Sequence, residues 1–189
     1  MPLPKEQTYT IEDIYKLPDG VRAELIDGEI YYMAPPSRIH QDISGKLYQT
    51  IANYIDDHNG SCKIYAAPFA VFLNEDDKNY VEPDISVICD KDKLNDRGCT
   101  GAPDWIIEIV SPSSQLMDYA IKFSKYQDAG VREYWVVDPL KKRIVVWSLE
   151  QNPEPTGPSI MEMYTFNDTI KSGIYEDLYI DFSKISVFV

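Results

Sequence analysis

Apolar residues recur every fourth position through Ile39, Ile43, Leu47, Ile51 and Ile55. That spacing draws one face of an amphipathic helix. Ser37, after Pro35-Pro36, supplies an N-cap, and Asn59-Gly60 supplies a stop. Ahead of it, Thr10-Ile11-Glu12-Asp13 opens a short helix to about Leu17, ended by Pro18-Asp19-Gly20. Asp27-Gly28 then separates Ala23–Ile26 from Glu29–Met33, a strong β-hairpin signal.

Beyond the long helix the period shortens. Cys62–Leu73 reads as strand, followed by an acidic loop from Asn74 to Lys78. In Glu82–Cys89, Val81, Pro83, Ile85 and Val87 share one face, which puts Asp84 and Ser86 on the other. Pro83 lacks an N–H and belongs at the strand's start or edge. Residues 90–103 read as a polar loop. Asp104–Val110 is apolar on both faces, the mark of a covered central strand, and Glu108 interrupts it.

Ser111-Pro112-Ser113 turns the chain into a helix from about Ser114 to Ala129, closed by Gly130. Its pattern sets Leu116, Ala120 and Phe123 toward a core and Asp118, Lys122 and Lys125 on a flank. Strands follow at Glu133–Val137 and Arg143–Leu149. Strand, helix, strand between Asp104 and Val137 predicts a crossover within a mixed sheet. Pro153, Pro155, Gly157 and Pro158 make 151–159 a loop. The tail holds short strands (Met161–Phe166, Leu178–Ile180) and a final helical turn. The fold class is α/β: a mixed β-sheet core flanked by helices, with an N-terminal hairpin and a β-rich tail. The 189 residues predict one domain, 1–189, without internal repeats.

Composition changes this picture in three ways. No apolar run approaches the ~20 residues of a membrane span, and the N-terminus lacks a signal-peptide pattern, so the expected location is cytoplasmic. Cys62, Cys89 and Cys99 lack CxxC spacing and read as reduced thiols. The net charge of −13 runs against phosphate binding. The charge is uneven, however. Lys122, Lys125, Arg132, Lys141, Lys142 and Arg143 fall in a window with only Asp128, Glu133 and Asp138, which leaves room for a DNA partner.

Candidate chemistry concentrates between Glu82 and Asp138. An ionised Glu108 in a covered strand costs several kcal/mol unless a cation or hydrogen bonds compensate it. If its strand neighbours that of Asp84, the two carboxylates point to one side and repel unless a cation lies between them. Mg²⁺ takes such oxygen ligands. Lys122 on the next helix completes an acid–acid–lysine set that suits a phosphodiester. Plainer readings stand beside these: Glu108 at a rim or paired with Arg, Asp84 in turn chemistry, and Lys122 in a surface ion pair with Asp118. Glu24 reads equally as a solvated hairpin acid, His40 as a capping or half-buried imidazole, and His58 as a helix-end residue. No GxGxxG, P-loop, HExxH or GxSxG motif is present, so a nucleotide cofactor and zincin or serine hydrolase mechanisms lack support.

Glu24-Leu25-Ile26-Asp27-Gly28-Glu29, His40, Pro83-Asp84, Glu108-Ile109-Val110-Ser111-Pro112-Ser113, Lys122 and Gly130–Pro139 together resemble the Uma-type endonuclease family of bacteria. That family belongs to the PD-(D/E)XK, restriction-endonuclease-like superfamily. The resemblance runs from about Tyr9 to Val189. It implies Asp84 and Glu108 as metal-binding acids, Glu24 as an additional acid, and the Ile109 carbonyl as a further ligand. It implies Mg²⁺ or Mn²⁺ as cofactor, DNA as substrate and, by analogy, a homodimer. The superfamily's lysine stands two residues after the second acid, where this chain has Val110, and Lys122 is the matching amine. The function expected is a Mg²⁺-dependent endodeoxyribonuclease. A catalytically inert binding or regulatory module of the same fold and a metal-dependent hydrolase of a small phosphate compound remain the alternatives.

Overall fold

A computed structural model describes residues 7–74, 76–112, 114–149 and 160–185. The loop expected at 151–159 lies outside them. Helix α1 (Ile11–Tyr15) is held by a capping box between Thr10 and Asp13. The hairpin strands β1 (Ala23–Ile26) and β2 (Glu29–Tyr32) pair antiparallel about Asp27 and Gly28. Both turn residues take positive φ, 52° and 81°, as a tight primed turn demands. A Cβ on Gly28 would stand 2.3 Å from the Thr8 methyl, so the position admits no side chain. Helix α2 (Arg38–Asp57) starts at Ser37, whose hydroxyl accepts from the His40 N–H, and buries Ile43, Leu47, Ile51 and Ile55.

The central sheet has six strands. They are β3 (Lys63–Ala66), β5 (Ile85–Ile88), β8 (Trp105–Ile109), β9 (Glu133–Asp138), β10 (Arg143–Ser148) and β11 (Ile160–Thr165). From one edge the order is β11, β10, β9, β8, β5, β3. Within this sheet, among the described residues, only β8 and β9 run parallel, as expected for strands joined through a helix. One face of the sheet, with Ile85, Val87, Trp105, Ile107 and Trp135, packs on α2. The other, with Ile88, Ile106, Val110, Tyr134 and Val136, packs on α3 (Lys122–Ala129). A small antiparallel pair, β12 (Thr169–Lys171) with β13 (Tyr179–Asp181), follows β11.

Several sequence expectations need correction. Cys62–Leu73 is not one strand. It divides at Pro68 into β3 and β4 (Val71–Phe72), which belong to different sheets. The supposed polar loop 90–103 contains β6 (Leu94–Asn95) and β7 (Gly98–Thr100), which join β4 in a three-stranded sheet. Cys62 and Cys89 are not reduced thiols but a disulfide. They sit opposite each other one step beyond the Lys63↔Ile88 pair, a register that sequence spacing does not reveal. Cys99 alone is free, and it is buried.

The helix after β8 is also turned differently. A π-type turn (Met117–Ile121) precedes α3, and Leu116 and Ala120 face solvent. The buried stripe is Asp118, Lys122 and Tyr126. Gly130, at φ 91°, closes the helix in the left-handed conformation. Among the described residues, no helix is long and apolar enough to cross a membrane.

Candidate active site

The antiparallel register of β5 on β8 pairs Ile85 with Ile107. One step toward the sheet's end, Asp84 therefore lies across from Glu108. Like charges directly opposite each other in a ladder repel. Here the chain crowds them further. Glu24 on β1 and Asp118 on the π-type turn come to the same place, and Glu24, Glu108 and Asp118 are all at most 4% exposed.

Lys122 answers part of this charge. Its Nζ donates to Glu24 Oε1 at 2.9 Å and Glu108 Oε1 at 2.8 Å, with Asp118 Oδ1 at 3.8 Å. Rather than leaning outward as a surface partner of Asp118, the ammonium is surrounded by three carboxylates. Burial disfavours its charge, but Glu108, Glu24 and Asp118 outweigh that and hold it protonated well above the ordinary lysine range. Lys125, expected on the same flank, instead reaches Asp27 at 2.6 Å.

Each acid has a definite seat. Glu108 Oε1 also accepts from the Tyr126 hydroxyl at 2.7 Å. Burial, reinforced by the charges of Asp84, Asp118 and Glu24, pushes the Glu108 carboxyl up to about 8 in spite of Lys122. Asp84 Oδ2 accepts from the Ile109 N–H at 2.8 Å and lies 3.0 Å from His40 Nε2. Burial depresses His40, and the hydrogen bond and charge of Asp84 more than restore it, so it sits above its usual value. The ring's Nδ1 is buried without a hydrogen-bond partner. Asp118 accepts from Ser114 Oγ at 2.6 Å, and burial raises it to about 6. Glu24 Oε1 also accepts from the Glu82 N–H at 3.0 Å. Glu82 in turn holds Arg22 (Nε at 2.8 Å) and the Tyr80 hydroxyl (2.6 Å), fixing the wall behind Glu24.

All four side chains proposed from sequence, Glu24, Asp84, Glu108 and Lys122, thus meet at one cavity, which also admits Ile109. The cavity encloses about 550 Å³. Asp118, Tyr126 and Ser114 were missed. The four-residue spacing of Asp118, Lys122 and Tyr126 was the available signal, obscured because a polar stripe ordinarily faces water. Val110 is buried among apolar neighbours, so the amine reaches the acids from α3.

The basic window does not form one face. Lys122 is buried, Lys125 pairs with Asp27, Arg132 with Asp104, and Lys141 and Arg143 lie over the Tyr119 ring. Its members belong to elements at opposite ends of β9.

The donor set suits a hard divalent cation: it is rich in carboxylate oxygen, and four carboxylates share the cavity with only Arg22 and Lys122 as fixed cations. Among the described residues, no three His, Cys, Asp or Glu side chains form a ready-made metal cage.

Comparison with known proteins gives three findings. The family model Uma2, described as "Putative restriction endonuclease", matches residues 11–171. An uncharacterized protein of Synechocystis is 34% identical over 104 residues, covering 54% of this chain and 53% of that one. The alignment thus spans about half the length of that relative. A crystal structure described as a "putative nuclease belonging to DUF820", from Anabaena variabilis, superposes with a TM-score of 0.74 over 95% of this chain and 98% of that one. At 19% identity, that likeness establishes a shared fold.

Proposed function

Because this chain belongs to the Uma2 family, whose model carries the description "Putative restriction endonuclease", we propose that it is a Mg²⁺- or Mn²⁺-dependent endodeoxyribonuclease acting through the Asp84–Glu108 site. The carrying observation is the cross-strand placement of Asp84 and Glu108, with two further carboxylates beside them and too few cations to balance them. Asp84, Glu108 and the Ile109 carbonyl would hold the ion. When bound, it supplies Lewis-acid polarisation of the scissile phosphodiester.

The protein's own groups prepare the site. The Tyr126 hydroxyl and Lys122 ammonium fix one Glu108 oxygen, leaving Oε2 with only the Asp84 N–H at 3.4 Å. His40 and the Ile109 N–H fix one Asp84 oxygen in the same way. Lys122, held charged against burial by Glu108, Glu24 and Asp118, stabilises the negative charge that develops on phosphorus-bound oxygens in the transition state. Glu24 keeps that ammonium in place. By analogy with restriction-like nucleases, the protein acts as a homodimer.

The test is nicking of supercoiled plasmid by the purified protein with Mg²⁺ or Mn²⁺. Asp84→Asn and Glu108→Gln should abolish it while circular dichroism stays unchanged. Absence of cleavage on supercoiled, duplex and single-stranded DNA, together with no calorimetric heat of ion binding, sinks the proposal. A second reading, an inert scaffold, is favoured by one observation: Lys122 already bridges Glu24 and Glu108. Calorimetry separates the two, because an inert scaffold binds no divalent ion.

A further inference from the structure

The cavity's floor and rim differ in chemistry. At the floor, Glu24, Glu108, Asp118 and Lys122 are almost wholly buried, while the Asp84 side chain keeps 15% of its surface open. The rim is apolar and aromatic. Tyr31, Tyr32 and Met33 come from the end of the hairpin, and Met117, Pro139 and Leu140 from the α3 side and the β9–β10 turn. Two of these large side chains stand open to solvent, Tyr32 at 69% and Leu140 at 57%. The Tyr32 side chain makes no hydrogen bond or ring contact among the described residues, whereas Tyr31 is tied to Glu29 through its hydroxyl. An exposed, unengaged aromatic at the mouth of a polar cleft is a stacking surface.

Charge imposes a second constraint. Duplex binding through the backbone needs several lysine or arginine contacts to phosphates. Cationic side chains of the surrounding elements are already paired: Arg22 with Glu82, Arg38 with Asp42, Lys125 with Asp27, and Lys141 with Gln115 and the Tyr119 ring. Base faces, unlike phosphates, bind apolar and aromatic surfaces regardless of sequence.

Resting on the nuclease reading above, we propose that the substrate enters as an unpaired strand, single-stranded or locally extruded, with a base stacked on Tyr32 at the rim. The rim then selects strand state, while the floor carries the chemistry. Sequence preference is expected to be weak, since every base presents a ring face that can stack.

The experiment measures fluorescence anisotropy of a labelled oligothymidine and of a duplex of equal length, with Ca²⁺ present, beside cleavage of both in Mg²⁺ or Mn²⁺. The wild-type protein should bind the single strand about tenfold or more tightly than the duplex. Tyr32→Ala should weaken single-strand binding about fivefold to a hundredfold, the range for one lost stacking partner, and leave duplex binding unchanged. Tyr32→Phe, which keeps the ring, should restore it. Because Tyr32 is largely exposed, melting temperatures of both variants should match the wild type. Equal binding and cutting of duplex and single strand, or an unaffected Tyr32→Ala, overturns the unpaired-strand inference and leaves the nuclease reading standing. Failure to bind or cut any DNA overturns both.

Discussion

Replacing Lys122 by methionine removes a buried ammonium while keeping much of its stem. The wild-type Nζ lies within 2.9 Å of Glu24 and 2.8 Å of Glu108, and 3.8 Å from Asp118. Stripping one partner from a buried ion pair costs about 3–5 kcal/mol, because the remaining charge is left unsolvated. Three acids lose their cation here, which places the cost near the upper end. For a chain of this size each kcal/mol shifts the melting temperature by about 2–4 °C, so a drop of about 10 °C or more is expected near pH 8.

The pH dependence sharpens the test. In the wild type, Lys122 is raised above its ordinary value, so its stabilisation is present at all lower pH and lost only as pH climbs past about 10.5. In the variant, Glu108, Glu24 and Asp118 face one another without that ammonium. Glu108 and Asp118 already sit above the usual carboxylate range, at about 8 and 6. A carboxyl raised in the folded state binds its proton more tightly there, so stability falls as pH rises between the unfolded and folded values. The variant's deficit should therefore shrink at pH 5, where these acids take up protons, and widen toward pH 8. Thermal melts of both proteins at pH 5, 6.5 and 8 measure this. A variant melting within about 2 °C of wild type at pH 8 would refute the claim that Lys122 compensates buried charge, as would a deficit that is larger at pH 5.

Two further outcomes concern the frame around the site. Thiol titration in denaturant should find one reactive cysteine per unreduced chain, Cys99, and three after reduction. Cys62→Ala with Cys89→Ala should cost about 3–4 kcal/mol, because the bridge closes a loop of 27 residues' separation; three thiols without reductant would dismiss the bridge. Glu133→Ala should destabilise by about 3–5 kcal/mol, since Oε2 accepts from Ser172 Oγ and the Gly173 and Ile174 N–H groups, and Oε1 from the Trp135 indole. Glu133 sits at the far end of β9 from the cavity, so cleavage per folded molecule should not change; a melt equal to wild type, or a selective loss of cleavage, would contradict this.

The sequence by itself determined what depends on neighbours along the chain. Apolar residues every fourth position gave α2, Asp27-Gly28 gave the hairpin turn, and the apolar run around Glu108 marked a covered central strand. Local sterics and hydrophobic period decide these features, and both are written in contiguous residues. Glu108 stood out because an ionised group in an apolar strand is costly, Asp84 as a second acid on a neighbouring strand, and Lys122 as the amine matching the family pattern. Only the tertiary structure decided how those elements meet. The β5–β8 register sets Asp84 opposite Glu108, and the β3–β5 register brings Cys62 to Cys89. The rotation of α3 turns Asp118, Lys122 and Tyr126 inward although Leu116 offered an apolar alternative. The reason is energetic. Lys122 satisfies acids supplied by β1 and β8, strands distant in the chain, and no local pattern records a charge compensated from so far away.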